Sequence, residues 1–198
     1  MAFVDEGSAS AFQTGYTSRM GKTLVSCALL LLAGCAGTRT AGSAHPPPAR
    51  YSAVLHPLSG SHVTGRATLS LAGDQLTVSI AAAGLQPQWI HEQGLYGFEG
   101  GGRAAACPKS LGGTPPNATE TAAAYGTSVL KLEPFPTVGP SGDLRYSLTF
   151  NVDGKRLAPL ARRVIVLRGM NANVGPAGAL AYDRMLPVAC GELTGPLQ

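Results

Sequence analysis

Charge is scarce in this chain. Only 13% of its 198 residues are Asp, Glu, Lys or Arg, and 15 basic groups against 11 acidic ones leave a net charge of +4. The basic pairs Lys155-Arg156 and Arg162-Arg163 have no aromatic residues interleaved with them and form no stripe, so they read as solvated surface and no nucleic-acid partner is expected. Aromatic residues make up 6% of the chain, with a single tryptophan, Trp89. No window carries a helical apolar stripe. Gly100-Gly101-Gly102 is followed by no Gly-Lys-Ser/Thr and by no helix, which rules out a phosphate loop. No Ser or Thr sits in a recognisable nucleophile elbow or triad motif. The longest apolar run, residues 24–33, is broken only by Ser26. At about 1.5 Å per residue it falls well short of the roughly 30 Å of hydrocarbon that a membrane helix must cross.

That run does suit the apolar core of a signal peptide. It leads into Leu32-Ala33-Gly34-Cys35, which resembles the lipobox of bacterial lipoprotein signal peptides, and Arg19 and Lys22 precede it as a basic n-region. The resemblance implies cleavage before Cys35, a diacylglyceryl group on its thiol, acylation of the new amino terminus, and so a membrane partner reached through lipid. Met20-Gly21-Lys22 would make a normal short start, so Met20 is an alternative initiator and residues 1–19 an extension. Ala36 stands where the family's inner-membrane retention signal has an aspartate, which points to the outer membrane, facing the periplasm. Residues 1–34 are then the signal peptide. Residues 35–50, small in type and ending near Pro46-Pro47-Pro48, are a flexible tether. Residues 51–198 are one domain by size.

With Cys27 in the signal peptide and Cys35 lipidated, Cys107 and Cys190 are the thiols left in the folded part. In an oxidising compartment the two are expected to form one disulfide, closing a loop of roughly 80 residues and stabilising by about 4 kcal/mol in the chain-entropy model. Two free buried thiols are the alternative. Neither cysteine has a second Cys or His at zinc-ligand spacing.

The domain's pattern is all-β. Residues 67–72 (Ala-Thr-Leu-Ser-Leu-Ala) alternate small or polar with apolar, Gly73-Asp74 marks a tight turn, and residues 76–81 (Leu-Thr-Val-Ser-Ile-Ala) alternate again, a hairpin. Residues 144–152 repeat the two-residue period up to a turn at Asp153-Gly154, and the apolar run 164–167 follows. Further strands are expected at 51–55, 90–98, 128–132 and 186–193. Short strands separated by Gly/Pro-rich turns indicate an antiparallel Greek-key sandwich or barrel. Residues 100–125 read as one long loop or a pair of loops, where a site would be sought.

Residues 76–92, ending Gly84-Leu85-Gln86-Pro87-Gln88-Trp89-Ile90-His91-Glu92, resemble the copper/zinc superoxide dismutase stretch in which a strand ends in Gly-Leu-x-Pro and leads to a His-x-His-Glu copper motif. Residues 162–168 resemble that family's strand ending in a copper-ligand histidine. Pro187-Val188-Ala189-Cys190-Gly191 resembles its C-terminal Val-Ala-Cys-Gly strand, whose cysteine bonds to one in the loop after the His-Glu motif. The related CHRD domain matches the first half equally well. The resemblance implies a superoxide-dismutase-like Greek-key fold and a Cys107–Cys190 bridge. Its ligand positions, however, are mostly changed. The first histidine of the motif is Trp89, leaving His91; the later copper position is Leu167; no histidine lies between Cys107 and Asp143; and the arginine expected before Val-Ala-Cys falls on Pro187, with Arg184 nearby. A pair of histidines at alternate strand positions is what lets two imidazoles share one ion. No cofactor and no catalytic residue are therefore expected, and the chain reads as a scaffold without its site.

The expected role is binding or structural, at the cell envelope. Trp89, His91, Glu92, Tyr96 and Phe98, beside a Gly-rich loop, are the candidate surface for an envelope protein or a small ligand, although alternate strand positions also suit core. The competing reading is a copper-binding or superoxide-handling protein, in which His91 would be joined by His56, His62 or Met170.

Overall fold

The structure, a computed structural model, describes residues 46–109, 115–174 and 179–197. The signal peptide, the Met20 start, Cys35 and the tether up to residue 45 lie outside the described residues. Among the described residues no helix is long and apolar enough to cross a membrane.

The domain is built of β1 (Ala49–Pro57), β2 (Thr64–Ala72), β3 (Gln75–Ala83), β4 (Gln93–Gly97), β5 (Thr127–Lys131), β6 (Leu144–Asn151), β7 (Val164–Val174), β8 (Ala179–Glu192) and β9 (Thr194–Leu197). All pairings are antiparallel. The strand order is β5-β4-β7-β8-β1-β2-β3-β6, with β9 alongside β1. Strand β3 thus neighbours β6 and β4 neighbours β7, the long-range adjacency of a Greek key. Most of β1 pairs with β2 and β9, while its last residues, His56 and Pro57, pair with Cys190 and Ala189 of β8. This shared strand lets the sheet curl into two leaves over one core. Ala53, Leu55, Leu69, Leu76, Val78 and Ile80 from one leaf pack with Leu95, Ile165, Leu167 and Val188 from the other. Each fully buried Leu, Ile or Val contributes about 1.5–3 kcal/mol by leaving water.

The leaf of β9, β1, β2, β3 and β6 is open to solvent on its outer side. Its strands alternate as the sequence does, and the β2–β3 hairpin has the expected turn: Ala72 pairs with Gln75, and Gly73 adopts φ +57°, which glycine tolerates without Cβ strain. The leaf of β5, β4, β7 and β8 is covered. On its outer side a second cluster of Leu58, Ala105, Tyr125, Val164, Val166 and Cys190 lies beneath the segment that follows β4. The disulfide Cys107–Cys190, with Cα atoms 5.7 Å apart, fastens that segment to β8.

Four expectations need correction. The stretch 100–125 is not all loop: after a 3₁₀ turn (Glu99–Gly101) it contains helix α1 (Ala118–Tyr125). A reciprocal cap starts α1, in which the Asn117 side chain accepts from Glu120 N–H at 2.9 Å and the Glu120 carboxylate accepts from Asn117 N–H at 2.8 Å. Asp153-Gly154 opens a short helix, α2 (Gly154–Leu157), instead of a tight turn, because the Asp153 carboxylate caps Lys155 and Arg156 N–H. The strand expected from residue 90 begins at Gln93, and Ile90 makes only an isolated bridge to Thr137. Strands β7 and β8 run far beyond 164–167 and 186–193, pairing out to Val174 and Ala179 as a two-stranded ribbon. Accessible residues on both sides of that ribbon hide the two-residue period from sequence.

Candidate functional site

The connection from β3 to β4 carries Trp89, His91 and Glu92. It is held by backbone bonds to the β5–β6 connection: Gln88 N–H to Val138 O at 2.9 Å, Val138 N–H to Trp89 O at 3.0 Å, and His91 N–H to Pro136 O at 3.2 Å. Trp89, half exposed, stacks on Tyr182 of β8 with ring centroids 4.3 Å apart and planes 13° from parallel. The Tyr182 hydroxyl donates to Ile90 O at 2.6 Å. Offset stacking of this kind contributes about 0.5–1.5 kcal/mol beyond area burial. Gly169, with φ +108°, lies under Tyr182, and a Cβ there would run into its hydroxyl.

His91 lies beneath the pair and is completely buried. Its ring meets Tyr182 edge to face, with centroids 5.9 Å apart. Its Nε2 is 2.8 Å from Gln86 O and its Nδ1 is 3.1 Å from Arg168 O. Both ring nitrogens therefore face backbone carbonyls from two different segments, tying the connection to β7. Glu92 follows, paired with Arg184 of β8 at 2.8 Å; with Arg184 exposed, this ion pair adds little stability. Burial, reinforced by the carboxylates of Glu92 and Asp183 and opposed by Arg184, pushes the Tyr182 hydroxyl pKa up to about 12. It stays a protonated donor throughout the physiological range.

Tyr96 and Phe98 stand apart from this group, half-buried in the second cluster. The Tyr96 ring meets Tyr125 edge to face at 5.1 Å, with the Arg168 guanidinium 5.0 Å from its centroid; Arg103 lies 4.3 Å over Phe98. Burial raises the Tyr96 pKa, with the Arg168 charge acting against it. The five candidates thus divide into a surface aromatic (Trp89), a buried strut (His91), a charged rim (Glu92) and two residues beneath the cover (Tyr96, Phe98).

The donor set does not fit the copper or zinc of the resembled family. Trp89, at the sequence position of one histidine of the resembled motif, stacks on Tyr182; Leu167 is fully buried in the main core; and His91 is fully buried between two backbone carbonyls. His56 on β1 and His62 before β2 are exposed, and Met170 is half-buried on β7. Among the described residues no group of three or more His, Cys, Asp or Glu is placed to hold a metal ion.

Tyr182 was not legible as a site residue, since its role rests on a register 91 residues from His91. Arg184, near the arginine position of the resembled family in sequence, has Glu92 as its partner in the fold.

Two solved structures to which the chain is similar are mutant forms of superoxide dismutase 5 from Candida albicans. One matches at 14% identity over 75% of this chain and 89% of that one, with a TM-score of 0.44; the other matches at 13% over 75% and 92%, with a TM-score of 0.39. No protein-family model and no curated protein matches the chain.

Proposed function

We propose that this chain is an exported, lipid-anchored protein of the bacterial envelope whose β domain has a binding or structural role, without a metal or a catalytic centre of its own. The lipobox-like Cys35 supports the address, and the outer membrane is the proposed destination. The observation that carries the role is the use made of His91. A fully buried histidine whose ring lies between the carbonyl oxygens of Gln86 and Arg168, with an N–H to donate, holds a loop in place, and the loop it holds presents Trp89 on Tyr182 to solvent. A rigid, half-exposed aromatic pair with little conformational entropy left to lose is suited to recognition. An envelope protein or a small ligand with a flat apolar face is the proposed occupant.

The test is metal analysis of the full chain after exposure to copper and zinc and removal of excess, with mass spectrometry of the mature amino terminus. Well under one equivalent of metal, and an acylated Cys35 as first residue, are expected. A stoichiometric ion that disappears in His91→Ala, or superoxide consumption above the free-copper background, would overturn the metal-free reading. An unprocessed chain would overturn the address.

A further inference from the structure

We propose that the solvent face of the open leaf is a binding surface for an acidic polysaccharide, centred on a cradle at Ala81. The register across β1, β2, β3 and β6 aligns outward residues into rows. One row is Val54, Arg66, Ala81 and Arg145; the next is Ser52, Thr68, Ser79 and Ser147; the third is Arg50, Ser70, Thr77 and Thr149. Rows lie about 6.8 Å apart and strands about 4.8 Å apart, so the array is a regular grid. The middle row carries a hydroxyl on every strand, and hydroxyls pair across strands at 2.8 Å between Ser79 and Ser147 and between Thr77 and Thr149.

Charge in these three rows has one sign, and the exposed carboxylate of Asp143 stands two positions before Arg145, at the rim of the grid. None of the three rows contains an Asp or Glu, and Arg50, Arg66 and Arg145 are exposed. The ion pair found among the described residues, Arg184–Glu92, belongs to the other leaf. Arg66 and Arg145 flank Ala81 from the two neighbouring strands, about 10 Å apart at the backbone. The small alanine leaves a depression of about 390 Å³ between them, also lined by Thr68, Ser79 and Ser147 and by parts of the inward-facing Ile80 and Tyr146. Two guanidinium groups around a shallow notch match an oxyanion, which arginine binds with paired, charge-assisted hydrogen bonds. The hydroxyl rows both donate and accept, as the hydroxyls of a sugar chain do.

The same face argues against other anionic polymers. Its three rows hold no aromatic residue on which a base could stack, and its exposed large apolar residues, Val54 on β1 and Leu197 on β9 opposite Arg50, stand two rows apart and form no patch to enter a lipid surface. A carboxylate-bearing sugar chain lying along the grid satisfies both the arginines and the hydroxyls. This inference is independent of the aromatic pair and of the metal question.

The experiment uses the full chain carrying Cys35→Ser, so that no lipid contributes, with immobilised polygalacturonate as the carboxylate probe, dextran as the neutral probe and vesicles of phosphatidylglycerol with phosphatidylethanolamine. Retention on polygalacturonate that falls with added salt, and none on dextran, is expected. Arg66→Ser with Arg145→Ser should weaken retention at least tenfold, and Ser79→Glu, which puts a carboxylate into the middle row, should do the same. Lys131→Ser with Arg156→Ser, which removes equal charge elsewhere, should leave it within twofold. Unchanged thermal unfolding would show that each variant folds. Absence of retention, equal loss in the control variant, equal retention on dextran, or binding to vesicles without binding to polygalacturonate would each overturn the proposal.

Discussion

Along β3, buried and accessible side chains alternate from Gln75 to Ala83, whereas along β7 residues 164–167 are all buried. The two strands belong to leaves of one domain that meet water differently. The open leaf has one wet face, so its inward residues form the core and its outward ones are free to be Ser, Thr and Arg. On the covered leaf, Ile165 and Leu167 enter the main core while Val164 and Val166 enter the second cluster. A strand buried on both faces must be apolar throughout, which is why Val-Ile-Val-Leu shows no period. Close packing there also restricts backbone positions: at Gly97 a Cβ would collide with the buried Arg163 side chain, which donates to the carbonyls of Phe98, Leu157 and Arg156. Arg163, expected with Arg162 as solvated surface, is thus buried; among the described residues it forms no ion pair, and burial lowers its pKa. Tolerance to change should therefore sit on one leaf and fragility on the other.

The largest expected break in that asymmetry comes from the disulfide. Replacing both Cys107 and Cys190 with alanine frees the cover, and in the chain-entropy model costs about 4 kcal/mol, on the order of 10 °C in Tm. Thermal unfolding checks the loss, and hydrogen exchange should localise extra opening to the outer side of β7 and β8. Uniform loosening of both leaves would count against a clamp acting on one. A smaller effect should separate the leaves directly. Val164→Thr places a hydroxyl in a fully buried site and should cost about 1–3 kcal/mol, while the shape-matched reverse change Thr77→Val on the open face should stay within about 0.5 kcal/mol. Denaturant midpoints of the two variants give the comparison. Equal costs would mean that the covering of β7 is weaker than its burial implies.

The smallest effect is one of pH. The folded state holds the proton of Tyr182 more tightly than the unfolded chain, whose ordinary value is 10.0, against about 12 when folded. This contribution is complete below about pH 10 and lost as pH rises toward 12, because there the unfolded state sheds a proton that the fold retains. Tyr96 and Tyr125, also beneath or beside the cover, are shifted upward by burial in the same sense. Tyr182→Phe should flatten the alkaline decline in urea midpoint between pH 9 and 11.5, although it also removes the bond to Ile90 O. A decline as steep as in the parent would remove Tyr182 from the account.

How far sequence could be read follows the same division. The open leaf was legible because one-sided burial writes itself as alternation, and its hairpin turn was marked by Gly73-Asp74. The covered leaf was legible only as short apolar runs, without the ribbon of β7 and β8. Helix α1 escaped because its apolar residues are mostly alanine. The signal that would have found it was Asn117 followed three residues later by Glu120, a capping pattern. The Cys107–Cys190 pairing was expected and is present. The grouping of Trp89, His91, Glu92, Tyr96 and Phe98 came from nearness in sequence, and alternate side chains of β4 point to opposite faces. That is why Tyr96 lies in a different cluster from Leu95, and apart from Trp89.

The disulfide also has a consequence in time. Cys107 and Cys190 are separated by 83 positions, and the second lies in β8. Strands β1, β2 and β3 can pair among themselves early, but the sulfur of Cys107 has no partner until β8 has docked beside β7. Until then that thiol is free and the outer side of β7 unsealed, so closure of the bond reports that the covered leaf has assembled.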